Sequence, residues 1–371
     1  MKEIIDKIGI KKIIIGVCTF IGIIVLFIIG ALIYNQFFYK KSYSEIENIM
    51  VTAAEKYYTN HKDNYPSTEG ETSTIKVSKL ISSNYMKSIK EYLKDDNIKC
   101  TGSVNVTNVN KKYKYTPILD CNDKYKTKRL TEYIKENEPI VTNNNGLYEL
   151  NNELVYRGET VNNNITFGKY NWKIVKISED KTYLILDDVI KNSNSEVWDD
   201  RYNNEKKSKI GINNYELSRA RDYVNNLYKE NTLFTDEEKL LISNYNLYIG
   251  KRSLNDEDKT GLTEKEKILE NQYIGLLPAY DYINASIDPT CKSVNTESCN
   301  NYNYLATYDN SWWLLTGVKD NTYEAYKIEG GRTLYSSKSS TKARIKPVIA
   351  LIKDTLYVSG DGSKEKPYKI K

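Results

Sequence analysis

Few residues in this chain are equipped for chemistry. Its 371 residues include five cysteines and a single histidine. His61 falls at the end of a helical pattern and reads as a solvated helix-end residue. Its solitude excludes most histidine-based triads, dyads and metal sites from the residues that follow. Cys18 lies in an apolar run, where a thiol behaves as a small apolar group. Cys100, Cys121, Cys291 and Cys299 remain. Proximity makes Cys100 with Cys121, and Cys291 with Cys299, the natural disulfides, although four cysteines permit three connectivities. The competing arrangement is a four-cysteine zinc site, but neither pair has the spacing of about two to four residues that such sites use. A cysteine nucleophile would need an unpaired thiolate beside an activating group, so Cys291 and Cys299 read as structural. No catalytic set, metal site or cofactor is expected.

Two further groups could bind a ligand. Asp256, Asp258, Thr260 and Gly261 match the first half of a calcium loop, but its twelfth position is Lys267 where a bidentate Glu is required, so a solvated acidic loop is expected. Trp312 and Trp313 are adjacent, and on a strand they face opposite ways. One is expected in the core. The other, with Tyr308, Asp309 and Arg332, is a candidate surface for stacking a sugar or a peptide; the alternative packs both rings beneath long loops.

These residues need elements to hold them. Ile13 to Tyr34 is a charge-free apolar run, and at 1.5 Å per residue it spans roughly 33 Å, enough to cross a hydrocarbon core of about 30 Å. A cleavable signal peptide would have a shorter apolar region and a small-residue cleavage site, so an uncleaved, single-pass signal anchor is expected. Lys2, Lys7, Lys11 and Lys12 precede the run, which favours a cytoplasmic N-terminus with everything after about Phe38 outside the cell membrane. An oxidising exterior also suits the disulfides.

Beyond the membrane, Tyr43, Ile46, Ile49, Met50, Ala53, Ala54, Tyr57 and Tyr58 mark one face of a helix that runs to about Asn60, reached with no Gly or Pro between it and the apolar run. Val77 to Met86 is a second amphipathic stretch. Cys100 to Val106 and Tyr113 to Leu119 read as two strands of a hairpin whose outer ends carry the two cysteines.

A single N-terminal membrane helix running into an amphipathic helix, with a small disulfide-closed sheet against it, resembles a type IV pilin or pseudopilin. The resemblance covers about residues 10 to 128, through Tyr43-Ser44-Glu45-Ile46-Glu47, Ala53-Ala54-Glu55-Lys56-Tyr57-Tyr58 and the cysteine hairpin. Prepilins carry a Gly-Phe processing site and a Glu at the fifth mature position. Here Gly9 is followed by Ile10, Lys11, Lys12, Ile13 and Ile14, which favours a static pilin-like anchor over a processed filament subunit.

Residues 127 to 145 are mostly polar and read as a linker, in which Leu130, Tyr133 and Ile134 have the spacing of one or two helical turns. From Gly146 the pattern changes to short strands, at Leu147 to Leu150, Glu153 to Tyr156, Tyr170 to Ile177 and Thr182 to Leu186. A helical segment follows at Tyr215 to Tyr228, then an apolar segment at Ile274 to Ala285, the Trp312 to Leu315 run and a strand from Arg344 to Ile352 with Pro347 inside it. Asn192 to Lys209 is the least structured insertion. Tyr156-Arg157-Gly158, Asn171-Trp172-Lys173-Ile174-Val175, Ser311-Trp312-Trp313-Leu314 and Ile345-Lys346-Pro347-Val348-Ile349 fall in an order similar to extracellular domains related to the C-type-lectin and sulfatase-modifying-factor folds. That resemblance implies ligand binding on a rigid scaffold. The calcium-dependent sugar motifs of lectins are missing, so calcium-mediated binding is not implied.

Charge and composition exclude more than they identify. Fifty-four basic and 49 acidic residues give a net charge of only +5 with no long basic block, which argues against nucleic acid as a partner. The 33 tyrosines, with abundant Asn, Lys and Ile, read as the bias of an AT-rich bacterial genome. The sequence thus predicts an α+β protein: a cytoplasmic tail over 1–12, a membrane helix over 13–34 held by lipid, a pilin-like unit over 35–126 whose helix continues that span, a linker over 127–145 and a mixed α+β unit over 146–371. The expected role is a membrane-anchored surface protein displaying a non-catalytic binding unit for a carbohydrate, wall component or protein. A modifying enzyme of the sulfatase-modifying type, which would need reactive Cys291 and Cys299, and a purely structural envelope or pilus-like component are the alternatives.

Overall fold

The apolar run forms the middle of one helix, Lys2–Phe37, in the computed structural model, which describes residues 2–37, 39–179, 181–187, 190, 196–293, 296–306, 311–329 and 333–371. Ile14–Ala31 is long and apolar enough to cross a membrane, and none of it is buried against protein. This is compatible with a single-pass anchor.

The helix does not run on unbroken as the sequence suggests. Ser42 accepts from the Glu45 N–H at 3.2 Å, and the Glu45 carboxylate accepts from the Ser42 N–H at 2.8 Å. That reciprocal pair is a capping box, and it starts a separate helix, Tyr43–Asn60. A capping side chain offers the backbone N–H groups a non-helical partner, so an interruption requires neither Gly nor Pro. The new helix buries Ile46, Met50, Ala53, Ala54 and Tyr58, as the periodicity predicts. It also buries Glu47, whose carboxylate accepts from the Tyr125 hydroxyl at 2.8 Å.

The chain divides into two compact units. The first consists of Met1–Asn60, Ile75–Val104 and Pro117–Lys126; the second consists of His61–Thr74, Asn105–Thr116 and Thr127–Lys371. The hairpin strands Thr101–Val109 and Lys112–Asp120 form with the cysteine spacing expected, and Thr72–Lys76 adds a third strand beside Thr101–Val109. Cys100 and Cys121 are joined in a disulfide. Gly102 suits this packing, because a Cβ there would lie tight against the Ile118 carbonyl oxygen at 3.0 Å and the Met50 and Val77 side chains at 3.1 Å, and these neighbours would have to give way.

In the second unit, 127–145 is not a free linker. It carries the helix Leu130–Asn137, which buries Leu130 and Ile134 in the core cluster. Its N-terminal Arg129 pairs with Asp354 and Glu132, both at 2.7 Å. Among the described residues the main sheet has nine strands. Its central path runs Ile242–Ser243, Val348–Leu351, Lys181–Leu186, Tyr170–Ser178, Asn164–Phe167, Tyr368–Ile370 and Tyr357–Ser359, and Gly146–Leu150 joins through Glu153–Arg157. A five-stranded sheet runs Thr333–Lys338, Glu324–Glu329, Trp312–Gly317, Lys342–Ile345 and Glu196–Val197.

The expected strand from Arg344 to Ile352 is two strands. Lys342–Ile345 lies parallel to Trp312–Gly317 in the five-stranded sheet, while Val348–Leu351 lies antiparallel to Lys181–Leu186 in the nine-stranded one. Pro347 falls at the crossing, where its missing N–H breaks no ladder, and its carbonyl accepts from the Leu186 N–H at 3.0 Å. Around these sheets pack the helices Arg219–Lys229 and Ala279–Ala285, and Cys291 and Cys299 form the second disulfide.

Replacing Cys100 and Cys121 together with Ser is expected to lower stability by about 3 kcal/mol, and the same change at Cys291 and Cys299 by about 2.5 kcal/mol because the loop is shorter. Urea unfolding with and without reductant measures both, and the serine variants should no longer respond to loss of their own bridge.

Candidate functional site

The five-stranded sheet shows first what became of the expected tryptophan surface. Trp312 is 1 % exposed and Trp313 0 %, so both rings belong to the core and neither offers a face to solvent. Trp313 donates its ring N–H to the Glu196 carbonyl at 3.1 Å, whereas the buried Trp312 ring N–H has no hydrogen-bond partner among the described residues. Tyr308, Asp309 and Arg332 lie outside the described residues. Cys291 and Cys299 are 0 % exposed and bonded to each other; the one free cysteine is Cys18.

The acidic loop is organised by a cation of its own. Arg252, 0 % exposed, places Nε 2.9 Å from Glu264 Oε1 and Nη2 3.2 Å from Oε2. The same guanidinium donates to the Asp256 and Asp258 carbonyls and stands 3.8 Å and 3.9 Å from their carboxylates. Asp258 and Asp256 in turn accept from Thr260 and Thr263. A guanidinium thus gathers the loop around itself, and it supplies the fork geometry that suits the Glu264 carboxylate. Burial pushes the Glu264 carboxyl above its ordinary range, and Arg252 works against that rise. Among the described residues no group of three or more His, Cys, Asp or Glu side chains could hold a metal ion.

The second buried charge lies in a cavity. Lys176 is 5 % exposed. Its ammonium donates to the Tyr280 hydroxyl at 2.9 Å, to Asp281 Oδ1 at 3.1 Å and to Glu153 Oε2 at 3.1 Å. It also stands 4.9 Å from the centre of the Tyr280 ring and 5.5 Å from that of Tyr183. Three elements meet here: Glu153 opens the strand Glu153–Arg157, Lys176 is in Tyr170–Ser178, and Tyr280 and Asp281 are in the helix Ala279–Ala285. Burial pushes the Asp281 carboxyl up to about 6 against the pull of Lys176. Burial presses the Lys176 ammonium down, but Asp281, Tyr280 and Glu153 outweigh it and the group holds its proton.

These charges form the floor of a cavity of about 200 Å³. Its other walls include Tyr183, Asn244, Asn246, Tyr248 and Asn271. The two-stranded ribbon of Tyr245–Tyr248 and Ile268–Gln272 presents the amides, with a register shift between Tyr245 and Leu247. Asn271 takes a left-handed φ of 57°; its side-chain oxygen accepts from the Asn244 amide at 3.1 Å, and its N–H donates to Asn246 Oδ1 at 3.4 Å. Asn246 is exposed and Tyr248 half-buried, so both are open to a ligand.

Sequence reasoning did not find this floor. Ile174 pairs with Leu184 and Lys176 with Tyr183, which leaves Val175 as an extra residue, and simple alternation cannot be carried across that bulge. Arg252 did leave a signal, since it lies four residues before Asp256 in the loop it neutralises.

No family model, curated protein or solved structure matches this chain.

Arg252→Met is expected to cost about 3 to 5 kcal/mol, because it strands the Glu264 carboxylate in the interior. In that variant the folded state holds the Glu264 proton more tightly than the unfolded chain, so stability should fall further as pH rises from 4 to 8. The wild-type melting temperature should not move with added millimolar calcium. Thermal unfolding across pH, with and without calcium, reads all three outcomes.

Proposed function

We propose that this is a membrane-anchored bacterial surface protein whose second unit binds a carbohydrate or a wall component non-covalently in the Tyr183, Asn246 and Tyr248 cavity. The observation that carries this reading is the cavity's lining: exposed amides and tyrosine rings above a floor whose charges are already paired with one another. Amides and phenols match the donors and acceptors of a hydroxyl-rich ligand, and the rings offer faces for stacking. Sites that enclose a whole drug-sized ligand run to roughly 300 to 1,000 Å³. At about 200 Å³ this one suits a single terminal residue of a longer ligand.

The apolar helix and the two disulfides support an outward-facing location, with the first unit as a pilin-like anchor. The pairing and burial of Cys291 and Cys299 weigh against a modifying enzyme that would use their thiols. The exposed Asn246 and half-buried Tyr248 at a cavity favour a binding role over a purely structural envelope component.

Tyr248→Ala and Asn246→Ala in the full chain, held in nanodiscs, are each expected to weaken binding on a glycan array at least tenfold while stability changes by less than about 1 kcal/mol. Trp313→Ala should instead cost about 3 to 5 kcal/mol. Glycan binding that is absent in wild type, or that is untouched by both cavity variants, would remove the reading.

A further inference from the structure

Lys176, Asp281 and Glu153 meet in one cluster, with each carboxylate 3.1 Å from the ammonium. We propose that Lys176 and Asp281 become joined by an intramolecular amide between Nζ and Cγ, with Glu153 carrying the protons. Nζ already lies 3.1 Å from Asp281 Oδ1, one bond short of the carbon it would attack. Both residues are 5 % exposed, which limits the water that would favour hydrolysis to what the cavity admits. They are also held on rigid elements, a central strand and a helix. Fixed reactants of this kind react with effective concentrations of roughly 10⁵ to 10⁸ M when well aligned. Glu153 reaches the same Nζ at 3.1 Å and is the one carboxylate of the three groups with substantial exposure, 25 %.

The step balances without an added reagent. The ammonium, which its acceptors otherwise keep protonated, passes a proton to Asp281 to give the neutral amine and carboxylic acid that the attack needs. Burial already holds the Asp281 carboxyl at about 6, so the acid form is within reach. The Nζ lone pair attacks Cγ, and Glu153 takes a proton from the nitrogen and delivers it to the departing hydroxyl. The Cγ–O bond breaks, one water leaves by way of the cavity, and Glu153 is again a carboxylate. The product is a neutral amide in place of two buried charges, which removes their desolvation penalty. This inference does not rest on the ligand reading, whose contacts are Tyr248 and Asn246.

Intact-mass measurement of the full chain, denatured without reduction, tests it. The expected mass is one water below that of the chain with its two disulfides, and peptide mapping should recover one branched species containing Lys176 and Asp281. Glu153→Gln should restore the missing water in a chain that still folds, and Lys176→Met should restore it whether or not the variant folds. Asp281→Asn should lose ammonia instead, if it reacts at all, and should never lose water at this position. Wild-type chain at its full mass overturns the proposal, as does a water loss that maps elsewhere or persists in Lys176→Met.

Discussion

Before any bond to Asp281 forms, the Lys176 ammonium controls how the second unit is built. A buried lysine is tolerable only if each of its protons finds an acceptor and its charge finds a counter-charge, because the desolvation penalty reaches several kcal/mol per ion. Meeting that demand takes an acceptor from each of three directions: Glu153 from the strand Glu153–Arg157, and Tyr280 and Asp281 from the helix Ala279–Ala285. The helix is therefore placed against the sheet by polar geometry as well as by burial of Tyr282 and Ile283. An apolar contact would tolerate rotation of the helix about its axis. Three hydrogen bonds to one nitrogen do not, and the cavity above them inherits that rigidity.

Arg252 solves the same problem in another place. It pulls the loop 253–264 around itself by using two backbone carbonyls and the Glu264 fork, so a stretch with no regular structure over most of its length has a defined shape. In both cases the charge is not there chiefly for stability, since an apolar residue of similar volume in a repacked site would do as well or better. What the charge contributes is a unique arrangement, because each acceptor left unmatched in an alternative packing would be costly.

How much of this could be read from the sequence depended on whether the signal was periodic. The Tyr43–Asn60 helix, the cysteine hairpin and the strands near 147, 153, 170 and 182 all fell where hydrophobic spacing put them. Local chemistry that competes with periodicity was missed: the capping box at Ser42 and Glu45 begins a separate helix inside a pattern that suggested continuity. Pro347 was placed inside a single strand, and it is a crossing between sheets, which only long-range pairing reveals. The Trp312 and Trp313 alternation argument was sound for a sheet with one wet face. Here both faces of that strand are covered, and all six of its residues are buried. The candidate site was the least legible part, because a bulge sets the direction of Lys176 and its partners lie 23 and 105 residues away in sequence.

Asparagine shows why composition is a poor guide to role. Its abundance reads as genome bias, yet Asn163, Asn203, Asn213 and Asn303 are each no more than 2 % exposed. Asn213 alone donates to the carbonyls of Val318, Asn321 and Glu324, and Asn303 to those of Tyr282 and Cys299. These amides bond carbonyls in turns and in short strand and helical segments, and the Glu324 carbonyl also accepts from the Val318 N–H at 2.9 Å. The same residue type thus clamps the interior of the second unit at Asn213 and stands open at Asn246, and only the neighbouring backbone distinguishes the two.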